Sequence, residues 1–461
     1  METKTHFFKS YKLIILLYCY FLTIISCEKY VEVDFPNSQQ TSTEVFEDNV
    51  TATAALTNIY AELRDNVLIT GDAQGLSNLI GLYADELTYY SINMLFTEFF
   101  YTNSLISTNV EISTIWSSSY NLIYQSNAVI EGVTDSATIS LEDKNQLIGE
   151  AKFVRSLIYF YLVNLYGDIP YITTTDYNEN INVERMSSQL IYNNIISDLL
   201  ESKELLGTEY ITSERIRPNK FTVSSLLSRV YLYSEDWENA EMESSFVINN
   251  GPYNLNMDID EVFKNNSSET IWQLYPQTQG VRTKEAGTFI FTMAPPPNVA
   301  LSTELISSFE NGDNRLNSWI GNVSDGTNTF YYAYKYKISE APSDEYSIVF
   351  RLAEQYLIRA EARIRLNNIT GSQEDINEIR NRANLPNTTA SNESDLTDVL
   401  IAERRSELFT EHGHRFFDLK RWDLENAVLG SKPGWDSTDV LLPIPESEIL
   451  LNENLTQNPG Y

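Results

Sequence analysis

Cysteine is nearly absent: the 461 residues hold two, Cys19 and Cys27. Cys19 lies inside an apolar run near the N-terminus and would leave with it if that run is a leader. Cys27 would then stand alone, and no internal disulfide could form. Histidine is almost as scarce, at three residues. His6 precedes the apolar run, while His412 and His414 in "EHGHRFF" flank a glycine. A helical zinc pair needs a spacing of four to share one face, so this pair does not read as a metal site. A place near a helix C-terminus is the simpler expectation. Basic residues are also few, 32 against 64 acidic ones, for a formal net charge of −32. That balance argues against nucleic-acid phosphate as a partner and favours solubility. GxSxG, P-loop and GxGxxG segments are missing, and "NMDIDEVFKNN" lacks the glycine and closing glutamate of an EF-hand loop. With 64 acidic residues, some carboxylate pair is always available, so acidity by itself cannot signal a glycosidase.

What is present begins at the N-terminus. Lys4, Lys9 and Lys12 precede "LIILLYCYFLTII" (Leu13 to Ile25), a basic region followed by an apolar one of signal-peptide length. The run is too short to span a bilayer comfortably, which takes about 20 residues. Ile24-Ile25-Ser26-Cys27 resembles a bacterial lipobox, in which the cysteine is lipidated and becomes the first mature residue. Several acyl chains on one residue hold a protein stably at a membrane, whereas a single chain is marginal. Residues 1–26 are thus predicted to be a lipoprotein signal peptide, and Cys27 the lipidation site. Its loss removes three lysines and one glutamate and takes the net charge from −32 to −34. Residues 27–45 are polar and read as a tether, with a single domain over 46–461.

Within that domain the dominant period is helical. Val223, Leu226, Leu227, Val230 and Tyr231 follow the i, i+3, i+4, i+7, i+8 pattern of one helix face. A turn at "SED" and a second helix from about Trp237 to Gly251-Pro252 complete a unit that resembles a tetratricopeptide repeat. "SLED" (Ser140 to Asp143) is a capping-box pattern opening a long helix that is apolar on nearly every face and so predicted to be buried. Gly167 and Pro170 end it. "RLAEQYLIRAEARI" and "DINEIRNRANLP" form another pair, and "LTDVLIAERRSELFTEHG" a further helix ending near Gly413. Two segments, about 65–110 and 265–345, break the pattern. They read as loops with small β elements, such as "TIWQLY" and "TFIFTM", set into a helical frame.

Aromatic residues make up 12% of the chain, with 29 tyrosines. Most belong in a core, but those in the irregular segments have less reason to be there. Tyr89, Tyr90, Phe96, Phe99 and Tyr101 cluster in the first, and Trp272, Trp319, Tyr331, Tyr332 and Tyr334 in the second. A flat ring stacks on the apolar face of a sugar while polar neighbours bond its hydroxyls, and such a site needs no catalytic residue.

Several segments, in order, resemble one family: the SusD/RagB nutrient-binding lipoproteins of Bacteroidetes outer membranes. They are "CEKYVEVDFP", "AKFVRSLIYFYLVNLYGDIPYI", "RPNKFTVSSLLSRVYLY", "RLAEQYLIRAEARI" with "INEIRNRANLP", "IAERRSELFTEHGHRFFDLKRW" and the closing "LLPIPESEILLNENLTQNPGY". The motifs are mainly architectural: Arg404, Glu407, Arg415, Asp418 and Arg421 read as buried ion-pair residues. The resemblance implies a mainly α fold, a tetratricopeptide-like helical-pair scaffold carrying an irregular, loop-rich second layer with small β elements. It also implies a lipid-anchored protein of the outer membrane at the cell surface, with no enzymatic activity and no cofactor. The protein would be a hinged lid that captures a glycan for a SusC-like TonB-dependent transporter. A peptide ligand, and less readily a secreted helical glycosidase, are the alternatives. The ligand side would comprise the loop around Asp85 and the later insertion, so Asp85, Tyr89, Tyr90, Phe96, Tyr101, Trp272, Trp319 and Tyr332 are the candidate ligand-binding residues.

Overall fold

The computed structural model describes residues 42–461 apart from 67, 92 and 94. The predicted signal peptide, the lipidation site Cys27 and most of the tether lie outside the described residues. A four-residue helix, Ser42–Val45, precedes the compact unit Phe46–Tyr461.

The longer helices, in chain order, are α1 (Asn49–Asp65), α2 (Leu76–Tyr83), α3 (Leu95–Tyr101), α4 (Val110–Asp135), α5 (Leu141–Tyr166) and α6 (Ser188–Leu205). They continue as α7 (Lys220–Tyr233), α8 (Trp237–Asn250), α9 (Leu352–Arg365), α10 (Ile369–Arg382), α11 (Glu393–Leu408) and α12 (His414–Arg421). Leaving out α2 and α3, each helix from α1 to α10 packs on the next.

Local chemistry accounts for these boundaries. Ser140 caps α5, its hydroxyl oxygen accepting from the Asp143 N–H at 3.2 Å. Gly167, at φ 73°, ends the helix in a conformation that costs glycine little. Every residue of α5 from Phe153 to Val163 is buried, as a helix with neighbours on all sides requires. Asn219 and Thr222 form a reciprocal capping box at α7. The α7–α8 turn places Glu235 at φ 59°, and Asp236 then caps α8. Further along, Ala353, Leu357, Ala360 and Ile364 of α9 meet Ile376 and Ile379 of α10 and Leu396 and Leu400 of α11 in one apolar cluster.

The chain from Gly251 to α9, together with the α1–α4 connection, carries most of the strands: β1 (Leu87–Tyr89), β4 (Thr270–Leu274), β5 (Val299–Leu301), β6 (Ile320–Ser324), β7 (Thr329–Ala333) and β8 (Ser347–Arg351). Two short strands, β2 (Ile169–Pro170) and β3 (Arg185–Met186), pair after α5. β4 pairs with β8, and a separate four-stranded sheet has the order β1-β5-β7-β6.

Two local expectations need correction. "TIWQLY" supplies β4, but "TFIFTM" forms no strand: Thr288 and Phe289 close a short helix, Lys284–Phe289. The helix expected to reach Gly413 stops at Leu408. Thr410, His412 and Gly413 then adopt positive φ, and His414 opens α12. The two histidines thus sit before and at a helix start rather than at a C-terminus. Both are buried, and burial pushes their pKa values down, which keeps the imidazoles neutral.

A buried ion network binds the insertion to the C-terminal helices. The Glu407 carboxylate pairs with Arg315, Arg351 and Arg382. Arg315 also reaches Glu403 at 2.6 Å, and Arg351 reaches Glu411 at 2.8 Å. Arg404 and Arg421 both pair with Asp418, at 2.7 and 2.9 Å. The motif residues read as ion-pair partners therefore hold that role.

Candidate functional site

The sheet joins the two irregular segments. Leu87, Thr88 and Tyr89 of β1 lie opposite Leu301, Ala300 and Val299 of β5. Leu301 in turn pairs with Tyr331 of β7, and β7 pairs along its length with β6. Side chains alternate across a strand, so register decides which aromatics meet. Leu87, Val299, Leu301, Ile320 and Ala333 share one face, and all are buried. The opposite face carries Phe330 and Tyr332, and Tyr90 extends it beyond the end of β1.

That second face is aromatic and half-buried. Tyr90 meets Phe330 edge-on at 5.5 Å, Phe291 meets Tyr332 at 5.1 Å, and Tyr332 meets Tyr334 at 5.7 Å. Glycine is required opposite Tyr332. Gly321 is its register partner, and a Cβ at this position would lie 2.2 Å from the ring. Burial pushes the pKa values of the Tyr90 and Tyr332 hydroxyls up from the usual tyrosine value.

A cleft lies near the end of β1. The N–H of Tyr90 donates to the carbonyl of Asn298 at 2.7 Å, and Asn298 lines a cavity of about 350 Å³ between the α1–α2 loop and the Lys284–Phe289 helix. Other lining groups are Asp72, Asn78, Arg282, Thr283 and Lys284. Cross-links hold the two walls together. The Thr288 hydroxyl donates to the Gly71 carbonyl at 2.9 Å, and Lys284 bridges Asp65 and Asp72 at 3.1 and 3.2 Å. A second cavity of about 200 Å³ continues past Arg282 toward Tyr346 and Glu285. Burial pushes the Glu285 carboxyl up, and the Ser347 hydroxyl donates to it.

The predicted residues divide into three groups. Tyr90 and Tyr332 come together on the open aromatic face. Tyr89 and Tyr101 stack on each other at 6.2 Å, but register puts Tyr89 on the opposite side of β1 from Tyr90. Phe96, on α3, is half-buried. The other three are corrected by their surroundings. Trp272 has no exposed surface; its indole N–H donates to the Ile216 carbonyl at 3.1 Å, and Phe153 lies 5.2 Å from its ring. Trp319 is equally buried, its N–H donating to the Ile259 carbonyl at 3.1 Å. The Lys335 ammonium and Arg382 guanidinium lie 5.1 and 5.5 Å from its ring. Neither tryptophan has a face left for a ligand. Asp85 is bound to Arg415 at 2.8 Å and to Arg405 at 2.7 Å. Burial raises its pKa, but the two guanidiniums outweigh burial and hold the carboxyl below the usual range. Asp85 thus positions the start of β1 from within.

Phe291, Phe330, Asn298 and Arg282 escaped the sequence reading. Phe330 could have been found from the alternation in "TFYYA"; the others are joined to the site only by folding.

Comparison with known proteins gives the chain its place. Residues 310–461 match the model of the SusD family, and residues 29–232 match a model described as starch-binding associating with outer membrane. SusD-like protein P2 of Formosa agariphila is 30% identical over 421 residues, covering 77% of this chain and 81% of that one. The chain belongs to the SusD family. SusD-like protein P25 of the same organism is 24% identical over 97% of this chain and 99% of its own length. Among solved structures, a laminarin-binding SusD-like protein superposes with a TM-score of 0.77 at 23% identity, covering 90% of this chain and all of the other. The SusD-like architecture expected from the motifs, a mainly helical scaffold carrying small strands, is the one observed.

Proposed function

We propose that this SusD-family protein is a cell-surface glycan-binding lipoprotein, which captures an oligo- or polysaccharide and passes it to a SusC-like TonB-dependent transporter as a hinged lid. What supports the reading is a half-buried aromatic sheet face together with a polar cleft near the end of β1. Rings present apolar faces to sugars, while Asn78, Asn298, Thr283 and Arg282 supply donors and acceptors for hydroxyl groups. The cleft suits binding better than hydrolysis. A glycosidase pair needs two carboxylates about 5–9.5 Å apart and free to act, whereas the first cavity is lined by one, Asp72, already paired with Lys284. In the second, Asp65 pairs with Arg64 and Lys284, while Glu285 accepts from the Ser347 hydroxyl and Glu345 from the Lys337 and Ile338 N–H groups. The likeness to a laminarin-binding SusD-like protein and to a family described as starch-binding favours a glycan over a peptide. Cys27 would carry the anchor. Two residues later the family match begins, which supports a mature chain starting there.

One experiment addresses capture and anchoring together. The protein lacking residues 1–26 is applied to an array of glycans and peptides, with product release assayed in parallel. Full-length and Cys27→Ala forms are fractionated from cells. Glycan binding without product release, and release of the variant from the outer membrane with affinity unchanged, are expected. Peptide-only binding, glycan cleavage, or a membrane-retained variant would contradict the corresponding part.

A further inference from the structure

We infer that a groove on the far side of the α1–α2 loop is a second carbohydrate subsite, one that holds a neutral stretch of a longer chain whose other end occupies the cleft. The inference rests on the glycan reading above and adds a site to it. The groove, of about 530 Å³, runs between the end of α1 and the first half of α4. Asn66, Gln74, Thr114, Ser117, Asn121 and Gln125 line it, with Glu62 as the one charged side chain. That carboxylate already accepts from Asn66 Nδ2 at 2.7 Å. In a chain with net charge −32, a groove with no lining cation offers nothing to an anion. One engaged carboxylate offers little to a metal, since Ca²⁺ takes six to eight oxygen ligands. Amides and hydroxyls both donate and accept, which matches the hydroxyls of a polyol.

Two further features separate this groove from ordinary solvated surface. The first is an amide ladder across α1 and α4. Asn58 Nδ2 donates to Gln125 Oε1 at 3.3 Å, and Gln125 Nε2 donates to Asn121 Oδ1 at 2.6 Å. The ladder holds the Asn121 amide in place with its NH₂ group left to donate outward. The second is Tyr124. Thr114, Ser117, Asn121 and Tyr124 follow spacings of three and four, so they share one face of α4, and Tyr124 is 53% exposed. A ring beside a row of amides repeats the chemistry of the first site.

Continuity joins the two sites. Asp72 and Ala73 line the cleft, whereas the next residue, Gln74, lines the groove. Consecutive Cα atoms are about 3.8 Å apart, so the two sites border each other across one stretch of chain, which a long glycan would have to cross.

The test is calorimetry with an oligosaccharide series of increasing length, cut from the polysaccharide that binds best on the array. Wild-type protein lacking residues 1–26 is compared with Asn121→Ala/Tyr124→Ala. Short oligosaccharides should bind both proteins equally, which also shows that the variant is folded. Long ones should bind the wild type roughly tenfold more tightly than short ones, and the variant should lose that gain. The same gain in both proteins would overturn the subsite and leave the first site standing. Loss of short-chain binding in the variant would also overturn it. Failure of the wild type to bind any glycan would remove the glycan reading, and the subsite with it.

Discussion

Trp319 and Tyr332 had equal standing in the sequence: both are aromatic and both lie in an irregular segment. Folding separates them, because Trp319 sits among Lys335, Arg351 and Arg382 with no exposure while Tyr332 is only half-buried on the sheet's aromatic face. Residue type does not encode that difference. A tryptophan in a loop-rich stretch is as useful for seating a cation network as for stacking on a sugar. Asp85 shows the same ambiguity, since its ion pairs with Arg405 and Arg415 become visible only once α11 and α12 are placed beside β1. The network around Glu407 is open to a direct check. Burial raises the Glu407 pKa, but Arg382, Arg351 and Arg315 outweigh it and depress the carboxyl well below its ordinary range. A depressed carboxylate contributes stability that is present above its unfolded pKa and lost as pH falls through the folded one. Glu407→Gln removes the negative charge that three buried guanidiniums share and should cost about 3–5 kcal/mol in denaturant unfolding at pH 7. The difference between wild type and variant should shrink as pH falls below about 4. A loss under about 1 kcal/mol at pH 7 would show that the remaining partners, Glu403 of Arg315, Glu411 of Arg351 and Glu269 of Arg382 at 2.6 Å, carry the network without it.

Helices were legible and, β4 apart, strands were not, for a physical reason. A helix writes its own period and caps into a contiguous stretch: α5 begins at "SLED" and ends at Gly167, and α7 shows its buried stripe in Val223, Leu226, Leu227 and Val230. The sheet β1-β5-β7-β6 is built from runs of three to five residues drawn from distant parts of the chain, and nothing local in β1 names β5 as its neighbour. The two aromatic-rich segments were visible; the register that opposes Tyr89 to Tyr90 was not. Gly321 tests that register. Its position opposite Tyr332 leaves no room for a Cβ, and the contacting atoms belong to the far end of the ring. Gly321→Ala should displace the Tyr332 ring while leaving the strand paired, with far-UV dichroism unchanged and near-UV dichroism altered. Glycan affinity should fall by about fivefold to tenfold, the equivalent of about 1 kcal/mol of lost aromatic contact. Unchanged affinity would mean that the ring at 332 does not meet the ligand.

In the protein as a whole, a row of stacked helical pairs serves as the frame on which two remote loops are brought into one sheet. Family membership accounts for the frame. The proposed ligand-facing surface comprises Tyr90, Phe330 and Tyr332 over β1 and β7, the cleft lined by Arg282, and the amide groove across the loop. The most direct measurement is isothermal titration of the glycan selected on the array into three single variants, Tyr90→Ala, Tyr332→Ala and Phe96→Ala. Tyr90 and Tyr332 share the aromatic sheet face, whereas Phe96 lies on α3. Both tyrosine variants should bind at least fivefold more weakly, about 1 kcal/mol each, with Phe96→Ala indistinguishable from wild type. Full affinity in both tyrosine variants would place the glycan elsewhere on the molecule and contradict the aromatic face as its binding surface.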